Sequence, residues 1–187
     1  MNELELIDAL VARLEHLFYG HPFINRKGET QELSPVKVYG QYIPQKEGLS
    51  ETENDFMENF PCVIVKLIDR TDNEERSITL TELNVKLICA VYDESLISIG
   101  YRDVMNMLSM MRDDFFNDRF IAQKFRVKMP LKSRMIEGDT WPVSYGEIEL
   151  KIETGRKLEP NEYIYRGGLN DGGRIYEGRL HEQYHAG

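Results

Sequence analysis

The string His-Glu-Gln-Tyr-His at residues 181–185 has the H-E-x-x-H spacing by which zinc metalloproteases hold their metal. On a helix, His181 and His185 would share one face, and Glu182 between them could polarise a zinc-bound water. That chemistry also needs a packed helix, a third converging ligand and partners that orient both imidazoles. Here the string follows a glycine-rich stretch without helical periodicity, and His16 and His21 are the only other histidines. The match therefore reads as chance. His181 and His185 are rejected as metal ligands, and no cofactor is expected.

Other catalytic patterns are weaker still. RGGLNDGGR (166–174) is glycine-rich, but it lacks both the Lys-Ser/Thr of a phosphate loop and a preceding strand. There is no G-x-S-x-G elbow, and neither Cys62 nor Cys89 has a histidine close to it in sequence. Asp113-Asp114 reads as solvated surface. The expectation is a protein that is not an enzyme.

Composition narrows the partners. The net charge is −9, with no run of Lys or Arg longer than two residues, so nucleic acid is not expected as a tightly gripped partner. No stretch reaches the ~18 apolar residues of a membrane helix, and no membrane partner is expected. The acidic start MNELELIDALVARLEHLF is unlike a secretion signal. Both cysteines sit in apolar, strand-like runs, which suits a reducing cytosol.

Stepping outward to the elements, Leu4, Ile7, Leu10, Val11, Leu14, Leu17 and Phe18 recur at helical spacing over 3–18, with Asn2 and Glu5 as a capping box. From 19 to 59 the pattern loosens into a long loop insertion in which only VKVYGQYI (36–43) looks like a strand. FPCVIVKLID (60–69) reads as a central strand covered on both faces. In residues 77–95, Leu83, Val85, Leu87, Cys89 and Val91 alternate, whereas Ile78 and Leu80 keep the opposite phase. A bulge near Thr81–Glu82 is expected. The period then becomes helical over 98–118, with Tyr101, Val104, Met105, Leu108, Met111 and Phe115 in one stripe and Asp93 or Ser95 as the cap. FRVKMPL (125–131) and SYGEIELKIE (144–153) each alternate apolar and charged residues.

These elements predict an α+β fold: a mostly antiparallel sheet of four to five strands, two helices packed on one face, and an extended C-terminal arm. Residues 1–156 form the core domain and 157–187 a Gly/Tyr-rich arm. The arm has too few aliphatic residues for a core, so it is either free or lays Tyr163, Tyr165, Tyr176 and Tyr184 on a partner. Arg126 and Lys128 on one strand and Glu147 and Glu149 on another face outward. They pair within the sheet or join one subunit to the next. Trp141, in a loop, is either tucked against the core or an interface anchor.

The landmarks FPCVIVKLID, AVYDES, GYRDVMNMLSMMRDDFF, FRVKMPLKSRM and WPVSYGEIELKIE, spread over residues 60–153, resemble the tail terminator (tail completion) proteins of long-tailed bacteriophages and prophages. The resemblance implies a structural virion protein that caps the tail tube, ends its polymerisation and joins it to the head connector. It implies a homo-oligomeric ring, hexameric in the family. The partners would be further copies of the chain, the tail tube protein and the connector or neck proteins, with DNA passing through without specific binding. Assembly would take place in the bacterial host cytoplasm and the product would sit in the tail or neck of the virion. The alternatives are another neck or head–tail joining protein, and a zinc hydrolase using HEQYH.

Overall fold

A computed structural model describes residues 3–27, 30–44, 57–75, 78–95, 99–136 and 140–154. In chain order the elements are α1 (Glu3–Phe18), β1 (Phe23–Lys27), β2 (Thr30–Ser34), β3 (Lys37–Gly40), β4 (Cys62–Glu75), β5 (Ile78–Tyr92), α2 (Gly100–Asn117), β6 (Phe120–Ile121), β7 (Phe125–Met135) and β8 (Val143–Thr154). Six strands make the main sheet in the order β3-β4-β5-β8-β7-β6, antiparallel except where β3 runs parallel to β4. Both helices pack on one face, so the fold is α+β. The sheet is wider than the four to five strands expected, because the short edges β3 and β6 join it.

The 19–59 segment holds more order than its composition suggests. β1 and β2 pair as a separate hairpin, with Phe23 opposite Ser34 and Lys27 opposite Thr30. FINRK and TQELS are short, polar and without alternation, so hydrophobic patterning could not reveal them. The compact unit ends at Thr154, where β8 stops.

The helical stripes are each rotated from the expected positions. In α1 the buried residues are Leu6, Ile7, Leu10, Leu14 and Phe18, and Leu4 is exposed. In α2 Met107 is buried, whereas Tyr101 and Met105 face solvent. Both sequences carry apolar residues on the flanks of the stripe, and only the tilt of the helix on the sheet selects between them. The side chains of α2 press onto Gly146, where a Cβ would lie 2.7 Å from Val104 Cγ1 and 2.8 Å from Leu108 Cδ1. Glycine is needed there for space.

The bulge lies on the other strand. β5 pairs with β4 residue for residue from Ile78 to Asn84, and the extra residue is Ile68, between the pairs Leu67–Val85 and Asp69–Asn84. β5 therefore keeps its alternation throughout, and Leu80 belongs to the second face. A further irregularity on β7, between Lys128 and Lys132, contains Met129, Pro130 and Leu131. Proline has no N–H to give to a ladder and sits where the ladder is interrupted.

α1 and α2 are clamped by Arg13. Its guanidinium lies 4.7 Å from the Phe115 ring centroid and donates to the Asp114 carboxylate at 2.6 Å. It also donates to the carbonyls of Asp118 and Phe120. A cation is thus held at the C-terminal end of α2, where carbonyls lack helical partners and the dipole favours positive charge.

Candidate subunit interface

Among the described residues, neither α1 nor α2 packs on the second face of the sheet. Its side chains lie in register rows that run across the strands. One row is Tyr39, Ile64, Ile88, Glu147 and Arg134; the next is Lys66, Lys86, Glu149 and Lys132. Beyond these come Asp69, Asn84, Lys151 and Lys128, then Glu82, Glu153 and Arg126.

Like charges stand directly opposite one another three times in this grid: Lys66 and Lys86, Lys128 and Lys151, Glu82 and Glu153. Such rungs are unfavourable on their own. Opposite charges, directly across or on a diagonal, neutralise most of them. Lys128 Nζ donates to Glu82 at 2.8 Å, and Lys151 Nζ lies 3.7 Å from the same carboxylate. Arg126 pairs with Glu153 at 3.5 Å. Hydrogen bonding from Lys128, then the charges of Lys128 and Lys151, hold the Glu82 carboxyl below its usual range.

Glu147 is the centre of the grid. It is only 5% exposed. Burial pushes its carboxyl up, but hydrogen bonds from Lys86 at 3.1 Å and from Arg134 Nε at 2.7 Å outweigh that and leave it lowered. Of the four charged residues singled out in the sequence, Glu147 is thus engaged inside the chain. Glu149 is half-exposed within 4 Å of Lys86 and Arg134, and Arg126 and Lys128 are exposed with their partners in cis.

One end of this face is apolar. Phe60, Cys62, Ala90, Tyr92 and Val143 form a small second core, with Tyr39, Ile43, Met57 and Tyr145 packed against it. Tyr42 is 72% exposed with Lys66 Nζ 5.6 Å from its ring centroid, and Trp141, in the turn before β8, is 62% exposed. Trp141 therefore lies outside the core. Tyr42, Lys66 and Lys132 were not singled out in the sequence. Lys132 continues the alternation of β7, which marks it as outward-facing, whereas Lys66 interrupts a nearly continuous apolar run. β4 is not covered by helices on both faces as expected, and the register puts both lysines in one row of the charged face.

The residues of AVYDES and GYRD meet in one buried knot. Asp93, 2% exposed, accepts the Gly100 N–H at 2.5 Å and the Ser95 N–H at 2.9 Å, so it caps the approach to α2. A Cβ on Gly100 would lie 2.8 Å from Asp93 Cβ. Arg26 from β1 donates to Asp103 at 2.9 Å and stands 3.9 Å from Asp93. The backbones of Arg26 and Asp93 also bridge, tying the β1–β2 hairpin to the end of β5. These partners offset the cost of burying the charges.

Burial pushes the thiols of Cys62 and Cys89 up to about 12, so both stay protonated and unreactive at neutral pH. Among the described residues no cluster of His, Cys, Asp and Glu has the makings of a metal site. His181, His185, Tyr163, Tyr165, Tyr176 and Tyr184 lie outside the described residues. An open groove of about 470 Å³ runs between the chain after α1 and the outer side of α2, lined by residues that include His21, Phe23, Met110 and Asp113. No helix among the described residues is long and apolar enough to cross a membrane. Compared with known families and with curated proteins, the chain matches no family model and no curated protein at a significant level.

Proposed function

We propose that the chain is a structural protein of a long-tailed phage particle. In this reading it assembles as a ring at the end of the tail tube, stops the tube from lengthening and presents a joining surface to the head connector. The observation that carries it is the way the landmark residues cooperate. FPCVIVKLID, AVYDES, GYRDVMNMLSMMRDDFF, FRVKMPLKSRM and WPVSYGEIELKIE contribute β4, β5, α2, β7 and β8 of one folded unit. Asp93 of the second landmark is hydrogen-bonded to Gly100 of the third. The resemblance therefore follows a three-dimensional unit, with its turn and cap chemistry.

A cap of this kind needs contact surfaces and no reactive group. Head-to-tail contacts between tube subunits propagate without limit, and a ring that closes on itself occupies the last contact without offering another. A net charge of −9 suits a ring through which DNA passes without being gripped.

The test is tube growth. Adding the purified chain to polymerising tail tube protein of the same particle is expected to give tubes of arrested length, each bearing one terminal ring in electron micrographs. Binding to the connector alone, with tube length unchanged, would reassign the chain to the neck. Binding to neither would remove the proposal.

A further inference from the structure

We infer that the open face of the sheet is the surface on which one copy of this chain receives a second copy, head to tail. The inference rests on the ring reading and names the contact within it. The four rows named above hold seven cationic and five anionic side chains, a net of +2, in a chain of net −9. The rest of the chain therefore carries −11, so a second copy is on average acidic outside this face. Face-to-face pairing would instead set +2 against +2. The charge pattern favours a contact between unlike surfaces, which is the kind that builds rings.

The leftover charges lie where such a contact would use them. Lys86 and Arg134 share Glu147 and Glu149, and Lys128 and Lys151 share Glu82. Lys66 and Lys132, in the row between, have no carboxylate partner among the described residues. Tyr42 stands exposed with its ring beside Lys66, an aromatic anchor next to a leftover cation. The sheet edges are poorer contacts. Past the two-residue β6, the outer edge of β7 carries a bulge, Pro130, Lys132 and Arg134, and β4 past β3 is broken by the Ile68 bulge. Bulges, proline and charge are the features that deter strand addition.

Sedimentation velocity of the full chain tests this, with the double variant Lys66→Glu/Lys132→Glu, with Tyr42→Ala, and with Arg112→Glu on the exposed side of α2 as control. All the substituted side chains are exposed or half-exposed, so circular dichroism should report wild-type folding for each. The wild type is expected to self-associate and to dissociate progressively as salt rises. The double reversal should weaken association at least about tenfold by setting like charge against the incoming copy. Tyr42→Ala should weaken it less, and Arg112→Glu should not weaken it. A double variant that assembles like the wild type would overturn the inference, as would association that strengthens with salt or a wild type that stays monomeric throughout. Tube growth separates this from the functional reading. If the double variant still forms rings and arrests tubes, the contact lies elsewhere and the cap stands. If the wild type assembles through this face but leaves tube length unchanged, the contact stands and the cap falls.

Discussion

Leu87 and Lys86 are neighbours on β5, and the two faces they open onto are built by opposite rules. Leu87 is fully buried beneath the helices, in one continuous apolar cluster that draws on both helices and strands β4, β5, β7 and β8. Lys86 points into a grid of charges that neutralise one another both directly across and along diagonals. On the first face each side chain is constrained by volume, so a lost methylene is felt directly. On the second most side chains keep contact with water, and each ion pair contributes little to folding. The molecule keeps its stability on the packed face, and the charged face leaves surface for contacts.

Breaking the packed face should have the largest effect. Phe115→Ala removes a fully buried ring and the platform for Arg13, and it is expected to lower the unfolding free energy by about 3–5 kcal/mol in urea titrations. Next comes the single point where the charged face is itself buried. Glu147→Gln leaves Lys86 and Arg134 without their shared carboxylate and should cost about 1–3 kcal/mol at neutral pH. Its pH dependence sharpens the comparison. The Glu147 carboxyl is held below its ordinary 4.5, so its contribution is complete above that value and is lost as pH falls through the lowered folded value. Acid titration of stability should therefore be shallower in Glu147→Gln than in the wild type. An equal slope would mean that the carboxylate is not held as described. Smallest is Lys128→Ala, which breaks an exposed pair with Glu82 and should change stability by less than about 1 kcal/mol, an effect that salt should erase.

The packed face was the legible one. Alternation in residues 83–91 and 144–153 assigned β5 and β8 their inward residues correctly, because volume-constrained positions leave a period in the sequence. The helix stripes were legible only to within a rotation, since Met105 and Met107 are equally apolar and the packing angle decides between them. The Ile68 bulge was not legible, because the opposite phase of Leu80 has a simpler origin in the second face. The β1–β2 hairpin was missed for want of any apolar pattern, though Arg26 anchors it through Asp103 and the Asp93 bridge. At the candidate interface the outward direction of Arg126, Lys128 and Glu149 was readable from alternation. That Glu147 is occupied inside the chain while Lys66 and Lys132 are left over depends on cross-strand register, which no local pattern encodes.

Native mass spectrometry of the untagged chain, before and after chelation, tests the central claim most directly, because it reads subunit number and bound metal together. The expected result is a discrete multiple of the 21.9 kDa chain, carrying no zinc and unchanged by chelator. One tightly held zinc per chain, lost on chelation together with a hydrolytic activity, would contradict it and return HEQYH to the centre of the molecule's function.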